Sequence, residues 1–189
     1  DSATVLFLSR LHPVKNVELL LAAWPLVMQH VPTARLVIAG DGEPAYVSQL
    51  RERARGLESS VTFAGHVEGA AKELLLSAAA VFVLPSFHEN FGIAVLEALA
   101  AGLPAVITHE VQLSEFVGEH TLGVVTEPSA PALADAILRS LGDRPLRERC
   151  RTDGPQLVAR YFSPSAVGVA LLQMYRFEVS HSKAEMAHN

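Results

Sequence analysis

The chain has one cysteine, Cys150, in 189 residues, so an intramolecular disulfide is excluded and a reducing compartment is the expected setting. Charge is also scarce. Only 19% of residues are charged, with a net −5 at neutral pH and a pI near 5.9, which excludes a chain built to coat a polyanion such as nucleic acid. No apolar run approaches the ~18 residues of a membrane span. The longest stretches, 19–28 and 74–84, are interrupted by Pro25 and Ser77. There is no D-x-D pair to hold a divalent ion against a diphosphate, no G-x-x-x-x-G-K-[ST] loop and no serine set in G-x-S-x-G. Metal-assisted transfer, P-loop hydrolysis and elbow-type ester hydrolysis therefore lack their usual anchors. Histidines are present, yet His88, His109 and His120 show no zinc-ligand spacing.

What is present is apolar and periodic. Half the residues are hydrophobic, enough for a globular domain with a sizeable core. Short apolar, β-branched runs at 4–9, 35–39, 61–64, 80–84, 105–107 and 123–125 read as strands, and the segments between them have helical spacing or turn residues. Asn16 is placed to cap the first helix, and Pro25 lies within it, where a proline kinks a helix or marks its boundary. Gly40-Asp41-Gly42 lacks the third glycine of a dinucleotide fingerprint and reads as a turn. After residue 130 the chain is helical, with Ser163-Pro164 opening a last helix. Six strands alternating with helices predict an α/β fold with a Rossmann-like, doubly wound six-stranded parallel sheet and extra C-terminal helices. The expected organisation is one domain over 1–178 and a disordered polar tail over 179–189. The start on Asp1-Ser2, entering a strand at once, is expected of a domain cut from something longer.

The fourth strand leads into PSFHENFGIAVLEALAAGLP, residues 85–104, with two acids, Glu89 and Glu97, and seven residues between them. Asn90 is a good N-cap, Phe91 to Ala101 reads as helix, and Gly102 with Pro104 ends it. The amides of Phe91, Gly92 and Ile93 would then form an anion-binding helix N-terminus at the carboxyl end of a strand. If the first and fourth strands are neighbours, Arg10 and Lys15 from the first exit loop face the same crevice, a charge set that suits a diphosphate. Spacing alone leaves two readings of the acids open, a sugar-binding pair or a surface acid with a paired helix acid.

In order, SRLHPVKN, LVIAGDG, VTFAGHV, VFVLPSFHENFGIAVLEALAAGLPAV and LGVVTEP resemble the donor-binding half of retaining glycosyltransferases of family 4, which have the two-domain GT-B fold. The resemblance covers about residues 4–142. The family usually has glycine where this chain has Ser9 and commonly after the lysine, where it has Asn16; the loop THEVQLSEF lacks the glycines often found there. The resemblance implies that Arg10 and Lys15 hold the diphosphate of a nucleotide sugar and stabilise it as leaving group. Glu97 is implied at the ribose hydroxyls and Glu89 at the transferred sugar, with the backbone of Asn90, Phe91, Gly92 and Ile93 along sugar and phosphates. His66 and Val67 would border the base, His66 through either its backbone or its imidazole. It also implies transfer without an obligatory metal or cofactor, and an acceptor site on an N-terminal domain that this chain does not contain. The expected setting is cytoplasmic, with peripheral membrane association open to the full-length enzyme. A GT-B nucleotide-sugar epimerase or hydrolase, and a non-catalytic nucleotide-binding module, are the alternatives to a transferase.

Overall fold

A computed structural model describes residues 3–168. Six parallel strands form one sheet in the order β3-β2-β1-β4-β5-β6: β1 Thr4–Leu8, β2 Arg35–Ala39, β3 Val61–Gly65, β4 Val81–Leu84, β5 Ala105–Thr108 and β6 Gly123–Thr126. Parallel neighbours need crossover connections, and these are supplied by α1 Val17–His30, α2 Pro44–Arg53, α3 Gly69–Ala78, α4 Ile93–Ala100 and α5 Ser114–Glu119. Two more helices follow, α6 Ala130–Gly142 and α7 Arg144–Phe162. Burial follows strand position. Every residue of β4 and β5 is buried, as is all of β1 after Thr4, whereas in edge strand β3 only Val61 is buried.

The chain divides into two compact units, 1–155 and 156–189. The first holds the whole sheet. Helix α1 packs on α6, and buries Trp24 completely, with its indole N–H donating to Ser60 Oγ at 3.0 Å. In the second unit Ser163 Oγ accepts from the Ala166 amide at 3.2 Å, so the expected cap at Ser163-Pro164 forms and residues 164–168 are helical. The rest of that last helix and the expected tail at 179–189 lie outside the described residues. Among the described residues no helix is long and apolar enough to cross a membrane.

Three local expectations are corrected. Asn16 occupies the N-cap position of α1 but makes no side-chain cap bond. Its backbone is left-handed (φ 55, ψ 44) and its N–H closes the preceding 3-10 turn, Pro13–Lys15, onto Pro13 O at 3.0 Å. A position with positive φ is one where glycine is natural and asparagine the next best tolerated, which accounts for asparagine where the similar family commonly has glycine. Asn90 does not cap α4, and that helix does not start at Phe91. It starts at Ile93 behind Gly92 (φ 77), whose missing side chain leaves room for Val95, Glu89 and Val111 at 3.3 to 3.5 Å. Helix α1 continues through Pro25, which sits on its exposed side.

Candidate functional site

Strands β1 and β4 are hydrogen-bonded neighbours, so their exit loops meet at the carboxyl edge of the sheet. The contact is direct: the Phe87 amide donates to Val14 O at 2.8 Å, tying the β4–α4 loop to the turn that carries Lys15. The β2 exit loop lies equally close on the other side of β1. Leu11 N–H donates to Asp41 O at 2.7 Å, and Gly40 N–H to Gly65 O at 2.7 Å. A Cβ on Gly40 would stand 1.9 Å from Ser9 O, and one on Gly42 2.0 Å from Leu11 O. The Gly-Asp-Gly turn therefore works as a close-packing brace that sets the backbone on either side of Arg10.

A cleft of about 540 Å³ opens where these loops converge. It takes in Arg10, Asp41, His66, Val67, Lys72, Ile93 and Glu97, together with Ser9, Gly40 and Ala94. Of the residues singled out in the sequence, the structure thus gathers Arg10, His66, Val67, Ile93 and Glu97 around one space. Arg10 is exposed and, among the described residues, has no ion-pair partner. Glu97 is paired: Lys72 Nζ donates to its Oε1 at 2.7 Å, with both side chains about one-third exposed. In α4 the first intrahelical bond runs from Val95 N–H to Gly92 O at 2.8 Å, so the amides of Ile93 and Ala94, both at the cleft, precede it.

Lys15 and Glu89 do not line this cleft; they pair with each other through Nζ and Oε2. The Glu89 backbone is fixed from the far side, its N–H donating to Glu110 O and its carbonyl accepting from Gln112 N–H, both at 3.1 Å. The glycine-free loop THEVQLSEF thus serves the site through its backbone. Gly92 is buried as the helix cap, while Asn90 and Phe91 are exposed and line neither this cleft nor its neighbour.

Lys72 and Asp41 were not anticipated as cleft residues. A signal for Lys72 exists in the sequence: it is one of three lysines, with Lys15 and Lys183, and opens an amphipathic helix. Asp41 belongs to the Gly-Asp-Gly turn and bonds the Gly42 amide at 2.8 Å. On the other side of the Arg10 turn lies a second hollow of about 550 Å³, reached by His12, Glu43 and Tyr46. Burial, then the hydrogen bond from its hydroxyl to Glu18 at 2.7 Å, pushes the Tyr46 phenol up and keeps it protonated. A third hollow, of about 180 Å³, is at the amino ends of β4 and β5 and contains none of the anticipated residues. No group of three His, Cys, Asp or Glu side chains among the described residues could hold a metal ion.

Comparison with known proteins accords with this geometry. The family described as Glycosyl transferases group 1 matches residues 1–157. The phosphatidyl-myo-inositol mannosyltransferase of Mycobacterium leprae is 35% identical over 188 residues, covering 97% of this chain and 49% of that protein. Sucrose-phosphate synthase from Thermosynechococcus elongatus superposes with a TM-score of 0.80 at 29% identity, over 96% of this chain and 46% of that one. Anabaena HepE, solved with UDP and glucose, shares the fold at 24% identity and a TM-score of 0.80, over 93% of this chain and 48% of its own. This chain spans about half the length of the curated relatives it matches. With a family match over residues 1–157, the chain belongs to the group 1 glycosyl transferases.

Proposed function

We propose that this chain is the nucleotide-sugar-binding half of a retaining, metal-independent glycosyltransferase. The observation that carries the reading is the carboxyl-edge cleft, where an unpaired guanidinium, a lysine-held carboxylate and the start of α4 face one space of ligand size. Arg10 and the α4 amides receive the diphosphate, because a planar guanidinium and helix N–H groups both match phosphate oxygens. Lys72 holds Glu97 in one orientation as acceptor for the ribose hydroxyls. Val67 and the His66 backbone border the base. Solved relatives of this fold hold UDP, in one case with glucose, which supports a nucleotide sugar as the ligand.

As the glycosidic bond breaks, negative charge grows on the diphosphate, and Arg10, Lys15 and the helix dipole stabilise it in a site where water screens weakly. The leaving phosphate then takes the acceptor hydroxyl proton on the same face of the sugar. Glu89 receives hydroxyls of the transferred sugar, and the acceptor is held by a further domain of the enzyme. The lone cysteine suits a cytoplasmic setting.

Calorimetry with UDP, GDP and ADP and their glucose and mannose conjugates tests the reading. One nucleotide series binds, and Arg10→Ala combined with Lys15→Ala weakens it at least tenfold, equivalent to about 1.4 kcal/mol. No binding by the wild type, or undiminished binding by the double variant, overturns it.

A further inference from the structure

The two cations expected at the diphosphate are in different states. Arg10 is open to the cleft, whereas Lys15 is already neutralised by Glu89, in a pair whose side chains are only 12% and 17% exposed. The pair is braced at both ends. Val14, beside Lys15, accepts from Phe87, and Glu89 is strapped to residues 110 and 112. Gly92 lies beside Glu89, since a Cβ there would stand at ordinary contact distance, 3.4 Å, from the Glu89 Cγ. This is a fixed internal contact.

We propose that Glu89 is a built-in stand-in for a phosphate oxygen, one that discriminates the sugar-bearing donor from the spent nucleoside diphosphate; this rests on the donor-site reading above. In the structure the carboxylate satisfies Lys15. A diphosphate that reaches Lys15 competes for the same ammonium, and between side chains this little exposed two anions on one cation repel strongly, so the carboxylate is displaced. A displaced, partly desolvated carboxylate needs new donors. A donor brings them as sugar hydroxyls; a nucleoside diphosphate brings none. Once the sugar has moved to the acceptor, Glu89 loses those partners, returns to Lys15 and helps expel the product. The same carboxylate thereby lowers product inhibition.

The test is calorimetry on this chain and on its Glu89→Gln, Lys15→Ala and doubly substituted forms, with UDP, GDP, ADP, their sugar conjugates and inorganic pyrophosphate. Glu89→Gln is expected to raise the affinity for whichever nucleoside diphosphate the wild type binds by about tenfold, the scale of a desolvated charge contact. Affinity for the matching nucleotide sugar does not rise, and the gain disappears in the Lys15→Ala background. Glu89→Asp withdraws the carboxylate by one methylene while retaining its charge, and gives a smaller gain in the same direction, so the question stays decidable if the glutamine variant folds poorly. Unchanged or weaker nucleoside diphosphate binding in both Glu89 variants overturns the proposal, as does a gain that persists without Lys15. Failure of the wild type to bind any of these ligands removes the donor-site reading itself; wild-type binding without the Glu89 effect removes only this inference.

Discussion

Replacing Gly40 with alanine attacks the site through its backbone alone. Gly40 has φ 139, in the region L side chains rarely adopt, and its new Cβ would lie 1.9 Å from Ser9 O. Relief by local adjustment is blocked on both flanks, because Gly40 N–H is bonded to Gly65 O and Ser9 N–H to Ala39 O. The β1 exit turn must therefore retreat from β2 by roughly 1 Å or more to regain an ordinary contact. Backbone strain of about 1–2 kcal/mol and overpacking of about 1–3 kcal/mol give a loss on the order of 3 kcal/mol. For a chain of this length that lowers Tm by about 6–12 °C, read by circular dichroism. Arg10 follows Ser9, so nucleotide affinity measured by calorimetry falls at least tenfold below the melting range, as about 1 Å of misplacement does to an oriented site. Gly118→Ala is the internal control: it lies in α5 with nothing within 4 Å of an added Cβ and changes stability by about 1 kcal/mol at most, in the favourable direction. A Gly40→Ala protein as stable as wild type, with unchanged nucleotide affinity, refutes the brace.

Two further perturbations probe the core. Burial pushes the Cys150 thiol up to about 12, so the native protein should be inert to thiol reagents at pH 8 and react only in denaturant; prompt labelling of folded protein contradicts the burial. Because the folded thiol holds its proton to higher pH than the unfolded one, this group's stabilising contribution is complete below about 9 and declines as pH rises towards about 12. Ser60→Ala removes the acceptor of the buried Trp24 indole N–H, leaving it unsatisfied at a cost of about 1–3 kcal/mol. The urea midpoint followed by the fluorescence of this lone tryptophan should fall accordingly, and an unmoved midpoint counts against that hydrogen bond.

The sheet was legible because its strands announce themselves. VLFL, VFVL and AVIT are unbroken apolar runs, which only a strand covered on both faces requires, and the all-parallel order followed from the intervening helices. Arg10 was legible at the cleft because exit loops of neighbouring parallel strands share an edge, and Glu97 because it lies about two turns into the helix that follows one of them, whereas His66 and Val67 entered only through the family resemblance. The helix start was misplaced because capping preference favoured Asn90, whereas the chain enters the helix through a left-handed residue (φ 77) two positions later, which selects glycine. Lys72 was missed because local sequence says nothing of a partner 25 residues away. The Lys15–Glu89 pair was invisible for the same reason: both residues were marked for a ligand, and nothing in their spacing says that, without one, they take each other.

The pairing of β1 with β4 joins parts of the chain that synthesis separates. The Lys15–Glu89 contact spans 74 residues, and no intermediate holding only β1 to β3 can contain it. Loop-closure entropy places such a contact late in assembly, after the local β-α units have formed. A growing chain that has not yet reached residue 81 exposes the cationic turn with neither its internal acid nor the cleft wall beside it. Under the proposed function, nucleotide binding then waits until the central strands have docked, and ligand affinity becomes a gauge of completed folding.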